Sequence, residues 1–193
     1  RSSDLMNHEF GSNAGIPRAH GTKGSFVSEW RIDSPSLKVL AGQDLIKKAV
    51  LTTGPKEFGR MCSADLPAVS AFYNPASGLG TQSRIFMNGE ENGPTGRALA
   101  HLVSGPEAGT SYELPLLKLA SWENVLASPF TQDQTVLIGL DDTHPKPNEK
   151  AKFDADVGKL YVYVGHKTKS GKEIDKAGLT NGKTHYVQVG QGG

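Results

Sequence analysis

Several short apolar runs in this chain end on carboxylates, and a lone cysteine lies between them. "DLMNHEF" closes on Glu9, "RIFMNGEE" on Glu90 and Glu91, and "TVLIGLDD" on Asp141 and Asp142. "ASWENV" sets Glu123 between Trp122 and a returning apolar segment. Taken singly, each acid is a solvated strand end or turn. Adjacent carboxylates repel, however, and an acid among apolar neighbours is costly unless paired or coordinated. Hard cations such as Ca²⁺ collect six to eight oxygens, and clustered carboxylates are their usual source.

Cys62, in "EFGRMCSADLPAV", has two readings. Free cysteine is usually a small buried hydrophobe. Alternatively it is a thiolate ligand, with Arg60 two residues away to favour the ionised sulfur. A mixed sulfur and carboxylate set points to iron or zinc more than to calcium alone, and no CxxC or HExxH spacing supports zinc. Arg60 is also the candidate for binding an oxyanion, with Arg18 and Lys23 of "RAHGTKG" as weaker ones. His101 reads as a strand histidine with a hydrogen-bond partner. His144, His166 and His185 read as loop or surface residues. There is no GxSxG elbow, no phosphate-binding Walker loop, and no GxGxxG after a strand.

These residues need elements to hold them. The chain of 193 residues suffices for one domain spanning 1–193. Its net charge of +1 leaves no basic footprint for nucleic acid. No run approaches the roughly 18 apolar residues that cross a bilayer. No signal peptide opens the sequence, so a cytoplasmic protein or a trimmed product is expected. One cysteine excludes an internal disulfide framework.

The 23 glycines and 11 prolines are spread as punctuation, which favours short strands joined by turns. Strands are expected at 24–33, 84–90, 97–103, 111–117, 135–141, 159–165 and 184–189, with alternation clearest in "KLYVYVGHKT". A helix is expected at 43–52 and a further helical turn in "SADLPAVSAFYN", where Pro67 fits only the first turn. "DDTHPKPNEKAKFDADVGK" reads as a long polar loop and "GQGG" as a frayed tail. The fold class expected is all-β, mainly antiparallel: a sandwich, barrel or β-propeller with one short helix. A propeller blade takes about 40–50 residues, so an incomplete ring is expected, or the N-terminal part of one.

In the same order along the chain, "MNHEFG", "HGTKGSFVSEW", "RMCSADLPAVSAFYN", "GLGTQSRIFMNGEE", "GRALAHLV", "GTSYELPLLKLASWENVLASP", "VLIGLDD" and "GKLYVYVGHKT" resemble the PhoX-type alkaline phosphatases and their PhoX-like bacterial relatives. The resemblance runs from about Leu5 to Val189. It implies a β-propeller, secreted or periplasmic, that hydrolyses small phosphate monoesters at a site holding Fe³⁺ and Ca²⁺. The family's cysteine iron ligand falls on Cys62. Its carboxylate ligands fall on Glu9, Glu90, Glu91, Glu123, Asp141 and Asp142. Trp122 replaces the family's histidine before the glutamate, and "CSADLPA" replaces a glycine-rich stretch, so the chain resembles a divergent branch. The partners implied are the phosphate ester and the remainder of a ring, or other copies of the chain. Two other readings stand: a calcium-stabilised extracellular propeller used for binding or assembly, and a cytoplasmic sandwich without a site.

Overall fold

A computed structural model describes residues 2–11, 13–143 and 158–187. The strands are β1 (Ser2–His8), β2 (Phe26–Asp33), β3 (Lys38–Asp44), β4 (Lys48–Val50), β5 (Tyr73–Asn74), β6 (Leu79–Gly80) and β7 (Ile85–Gly89). They continue with β8 (Ala98–Leu102), β9 (Thr110–Glu113), β10 (Trp122–Ala127), β11 (Gln134–Asp141), β12 (Leu160–His166) and β13 (Lys183–Tyr186). One helical turn, α1 (Glu173–Lys176), and three short 3₁₀ turns complete the elements. The molecule is therefore all-β and mainly antiparallel, with one short helix. No sheet closes on itself among the described residues, and no helix there is long and apolar enough to cross a membrane.

Three sheets carry the architecture. Their strand orders are β1-β2-β3, β4-β9-β8-β7 and β10-β11-β12-β13. All pairings are antiparallel except β4 with β9. The middle sheet is the most apolar: every residue of β7 and β8 is buried. Its two faces feed two cores. Ile85, Met87, Ala98, Ala100 and Leu102 pack toward Trp122, Leu137 and Tyr163. Phe86 and Leu99 pack toward Val27, Ile46, Phe58 and Met61. Alternation along each strand produces this division.

The expected helix at 43–52 is not formed. β3 runs through Asp44, Leu45 and Ile46 enter the second core side by side, and 48–50 pairs in parallel with β9. Local periodicity yields there to a pairing with residues more than sixty positions away. The helical turn expected in "SADLPAVSAFYN" is a 3₁₀ turn, Val69–Ala71, with Pro67 ahead of it. The segment expected as 111–117 divides into β9 and a 3₁₀ turn, Pro115–Leu117. Along β12, Tyr163 is buried in the core while Leu160, Val162 and Val164 are half-buried on the other side. Most of the expected loop (144–157) and the tail lie outside the described residues.

Trp122 joins the middle and last sheets. It is fully buried, and two glycines make room for it. A Cβ on Gly89 would lie 2.2 Å from Trp122 Cβ, and one on Gly139 would lie 2.4 Å from Trp122 Cζ3. Neither side can give way, since the indole is held against Tyr161 at a ring separation of 5.1 Å. Gly139→Ala is expected to destabilise the fold by about 1–3 kcal/mol through overpacking, and Trp122→Ala by about 3–5 kcal/mol through cavity formation. Urea unfolding of both variants checks this; an unchanged midpoint for Gly139→Ala would contradict the packing described.

Candidate metal centre

Four chain segments lie side by side at one end of β7 and β10, held by backbone hydrogen bonds. Met61 and Glu90 form an antiparallel bridge. Cys62 N donates to Gly89 O at 2.9 Å and Glu91 N to Arg60 O at 2.8 Å. Trp122 N donates to Glu90 O at 3.1 Å, and Asp142 N to Ser121 O at 2.7 Å. Residues 60–62, 89–91, 121–123 and 141–142 thereby become neighbours.

Their side chains converge. One ligand atom each from Cys62, Glu91 and Glu123 lies within 4.8 Å of the others. Cys62 Sγ donates to Glu123 Oε2 at 3.3 Å, and Ser63 Oγ donates to Glu123 Oε1 at 3.3 Å. The Asp142 carboxyl lies close enough to Glu91 to interact with it. Arg60 closes the group on the solvent side, with Nη1 2.5 Å from Glu91 Oε2 and Nε donating to Glu9 Oε2 at 3.2 Å. Arg60 and Glu9 are each about half exposed, whereas Glu91 is mostly covered.

A β-bulge turns Glu123 toward the thiol. Trp122 pairs with Asp141 and Asn124 with Leu140, so Glu123 is the unpaired extra residue. Because of it, Trp122 and Val125 both face the core although three residues apart. Bulges re-aim a side chain in this way beside functional sites.

The electrostatics are those of a protonated thiol beside an ionised Glu91. Burial pushes the Cys62 thiol up to about 12, and the adjoining Glu91 and Glu123 carboxylates add to this. Burial also pushes Glu91 up, but the bonds from Cys62 and Arg60 outweigh it and hold the carboxyl below its usual range. A cation entering here must displace the thiol proton, so metal affinity rises with pH. The donor set could hold a metal: one soft sulfur and two carboxylates whose ligand atoms lie within 4.8 Å of one another.

Two expected ligands point elsewhere. Adjacent residues of a strand face opposite sides, and each acidic pair divides accordingly. Glu90 is buried and accepts from Gly59 N at 2.7 Å and from Arg97 Nε and Nη2, both at 2.6 Å. Arg97 spends its other N–H groups on the carbonyls of Thr53, Pro55 and Glu57. This pair fixes the loop leading to Cys62. Asp141 accepts from Ser121 N at 3.1 Å and Thr143 N at 3.0 Å, so it caps the end of β11. Arg18 is likewise committed, stacked 3.6 Å above the Phe26 ring and paired with Asp44. His101 is a buried strand histidine bonded to Asn88, as its position predicts.

Residues the sequence did not single out include Arg97 and the amides Asn7 and Asn88. An arginine opening "ALAHL", apolar but for His101, was the available signal for the first. No family model, curated protein or solved structure matches the chain.

Two outcomes follow from this geometry. Glu90→Gln leaves Arg97 as a buried unpaired charge and should cost about 3–5 kcal/mol, whereas Glu91→Gln should cost little stability and lower metal uptake. Chemical denaturation with metal titration separates the two, and equal stability losses would contradict the division of labour. Burial, with the nearby His20 charge, holds His101 down to about 3 from an ordinary 6.5. The unfolded chain therefore binds this proton first, and its contribution to stability is lost as pH falls from about 6.5 to 3. His101→Gln should flatten the acid limb of the melting-temperature profile over that window.

Proposed function

We propose that the chain belongs with the PhoX-like propellers and is a metal-dependent phosphomonoesterase acting on small phosphate esters in a secreted or periplasmic setting. The observation that carries this reading is the thiol of Cys62 set among the carboxylates of Glu91 and Glu123. A purely structural calcium site has no use for a soft sulfur ligand. The meandering sheets, with β7 and β10 in contact at the site, are in keeping with blades of a propeller.

In this reading Cys62, Glu91, Glu123 and Asp142 hold iron and calcium, with Glu9 at the rim. The metals would supply Lewis acidity, neutralising phosphoryl charge and acidifying water. The chain's own residues do the rest. Arg60 stands at the mouth with its guanidinium between Glu9 and Glu91, where it can form charge-assisted bonds to phosphoryl oxygens. Glu9 and Glu91 orient that guanidinium and keep it charged; hydrogen bonding to Glu91 is the larger influence. Ser63 fixes one oxygen of Glu123.

The second reading, a calcium-stabilised propeller used for binding or assembly, draws on one observation. The buried thiol keeps its proton to about 12, so carboxylates alone could hold calcium while Cys62 stays a neutral hydrogen-bond donor.

Elemental analysis of the purified chain, with phosphate release from an aryl phosphate, distinguishes them. The phosphatase reading expects iron with calcium and turnover. It further expects Cys62→Ser to lose iron while keeping its calcium and its fold, and Arg60→Ala to lose turnover with metal content unchanged. Calcium alone without phosphate release would leave the binding reading.

A further inference from the structure

Two polar side chains interrupt the otherwise apolar strands β7 and β8 of the middle sheet: Asn88 on β7, fully buried, and His101 on β8, 1% exposed. Burying them costs free energy that an apolar pair would not, and the cost is not fully recovered. His101 Nδ1 is buried with no hydrogen-bond partner. An orphaned buried acceptor costs about 1–3 kcal/mol, so these residues require an account beyond packing.

Their bonds run in one direction only. The Cys62 carbonyl oxygen can only accept, so the atom 2.6 Å from it must be the amide nitrogen of Asn7. Asn7 Oδ1 is then the acceptor for Asn88 Nδ2 at 2.9 Å. The Asn88 amide nitrogen also reaches Met61 Sδ at 3.4 Å, in the residue before the cysteine. Asn88 Oδ1 is left to accept from His101 Nε2 at 2.9 Å. His101 must therefore carry its proton on Nε2, which leaves Nδ1 bare, in agreement with its lack of a partner. Flipping either amide would set two acceptors or two donors against each other, so the order is fixed from the carbonyl outward. Keeping His101 neutral also suits burial, which opposes protonation at Nδ1.

The chain ends at a specific place. Cys62 N is already fixed to Gly89 O, the residue after Asn88. With Asn7 on its carbonyl, both polar groups of the cysteine's backbone are held, and the side chain has one direction in which to project. That direction is toward Glu91 and Glu123. We propose that His101, Asn88 and Asn7 form a one-way hydrogen-bond chain that positions Cys62, reaching from β8 through β7 and β1 to the thiol's own backbone. These are positioning residues. Their bearing on metal binding rests on the metal-centre reading above; their bearing on the thiol does not.

The tests use the intact chain and four variants. Asn7→Leu removes the last donor at a half-buried position, so it is the variant least prone to misfolding. Asn88→Leu removes the relay. His101→Met removes the first donor, and His101→Gln restores one. Three readouts are taken: alkylation of Cys62 by iodoacetamide in metal-free protein, Co²⁺ titration followed by the thiolate-to-cobalt charge-transfer absorption, and the ¹⁵N shifts of the His101 ring. The expected result is Nε2–H in the wild type. Asn7→Leu, Asn88→Leu and His101→Met should alkylate faster, bind Co²⁺ about tenfold more weakly, and show a shifted charge-transfer band. His101→Gln should stay close to wild type in all of these. Variants with lower melting temperatures but wild-type alkylation rates and an unchanged cobalt band would overturn the proposal, as would an Nδ1–H tautomer. If the wild type takes up no Co²⁺, the metal reading fails instead, while alkylation and tautomer still decide whether the chain positions the thiol.

Discussion

Everything proposed for this protein depends on a few backbone hydrogen bonds that lay four distant segments edge to edge. The bonds from Cys62 to Gly89, Glu91 to Arg60, Trp122 to Glu90 and Asp142 to Ser121 place residues up to eighty positions apart within reach of one another. A main-chain network of this kind sets positions without using any of the side chains that do chemistry. The thiol and the carboxylates are therefore free to face a common point, and their mutual repulsion is borne by a rigid scaffold. Without the scaffold, the acids would separate into solvent.

Two buried devices keep the scaffold in place. The Glu90–Arg97 pair ties the end of β7 to the loop that delivers Cys62, and Arg97 directs its remaining donors to three loop carbonyls. Removing either partner leaves an uncompensated charge, so the pair specifies this loop geometry more than it adds net stability. On the other side, Trp122 lies between Gly89 and Gly139 and sets the distance between the middle and last sheets. The bulge at Glu123 sits directly after that indole. Packing thus fixes the backbone, and the backbone aims the ligand.

Much of the fold was legible because its strands alternate or are continuously apolar. β2, β7 and β8 fall within segments that the pattern marks as strands, and β11 and β12 each overrun theirs by one residue. β10 escaped notice because the bulge at Glu123 shifts its core positions out of period 2, leaving "WENVLA" without a recognisable rhythm. The segment 43–52 misled because its partner, β9, lies far along the chain. The site was half legible for a related reason. Clustered strand-end acids and a lone cysteine signalled a convergence, but sequence alone treats the two members of "GEE" and of "DD" alike. Strand alternation divides them: Glu91 joins the cysteine and Asp142 lies beside Glu91, while Glu90 serves Arg97 and Asp141 caps a strand end. The amides that hold Cys62 carry no local signal, since their partners lie on three different elements.

The proposed function rests on Cys62 and its neighbouring carboxylates forming one metal site. Extended X-ray absorption at the metal edge of the Co²⁺-loaded chain tests it most directly. One sulfur scatterer is expected in a shell otherwise made of oxygen, with the sulfur lost in Cys62→Ser. A shell of oxygen and nitrogen alone, unchanged by that substitution, would contradict it.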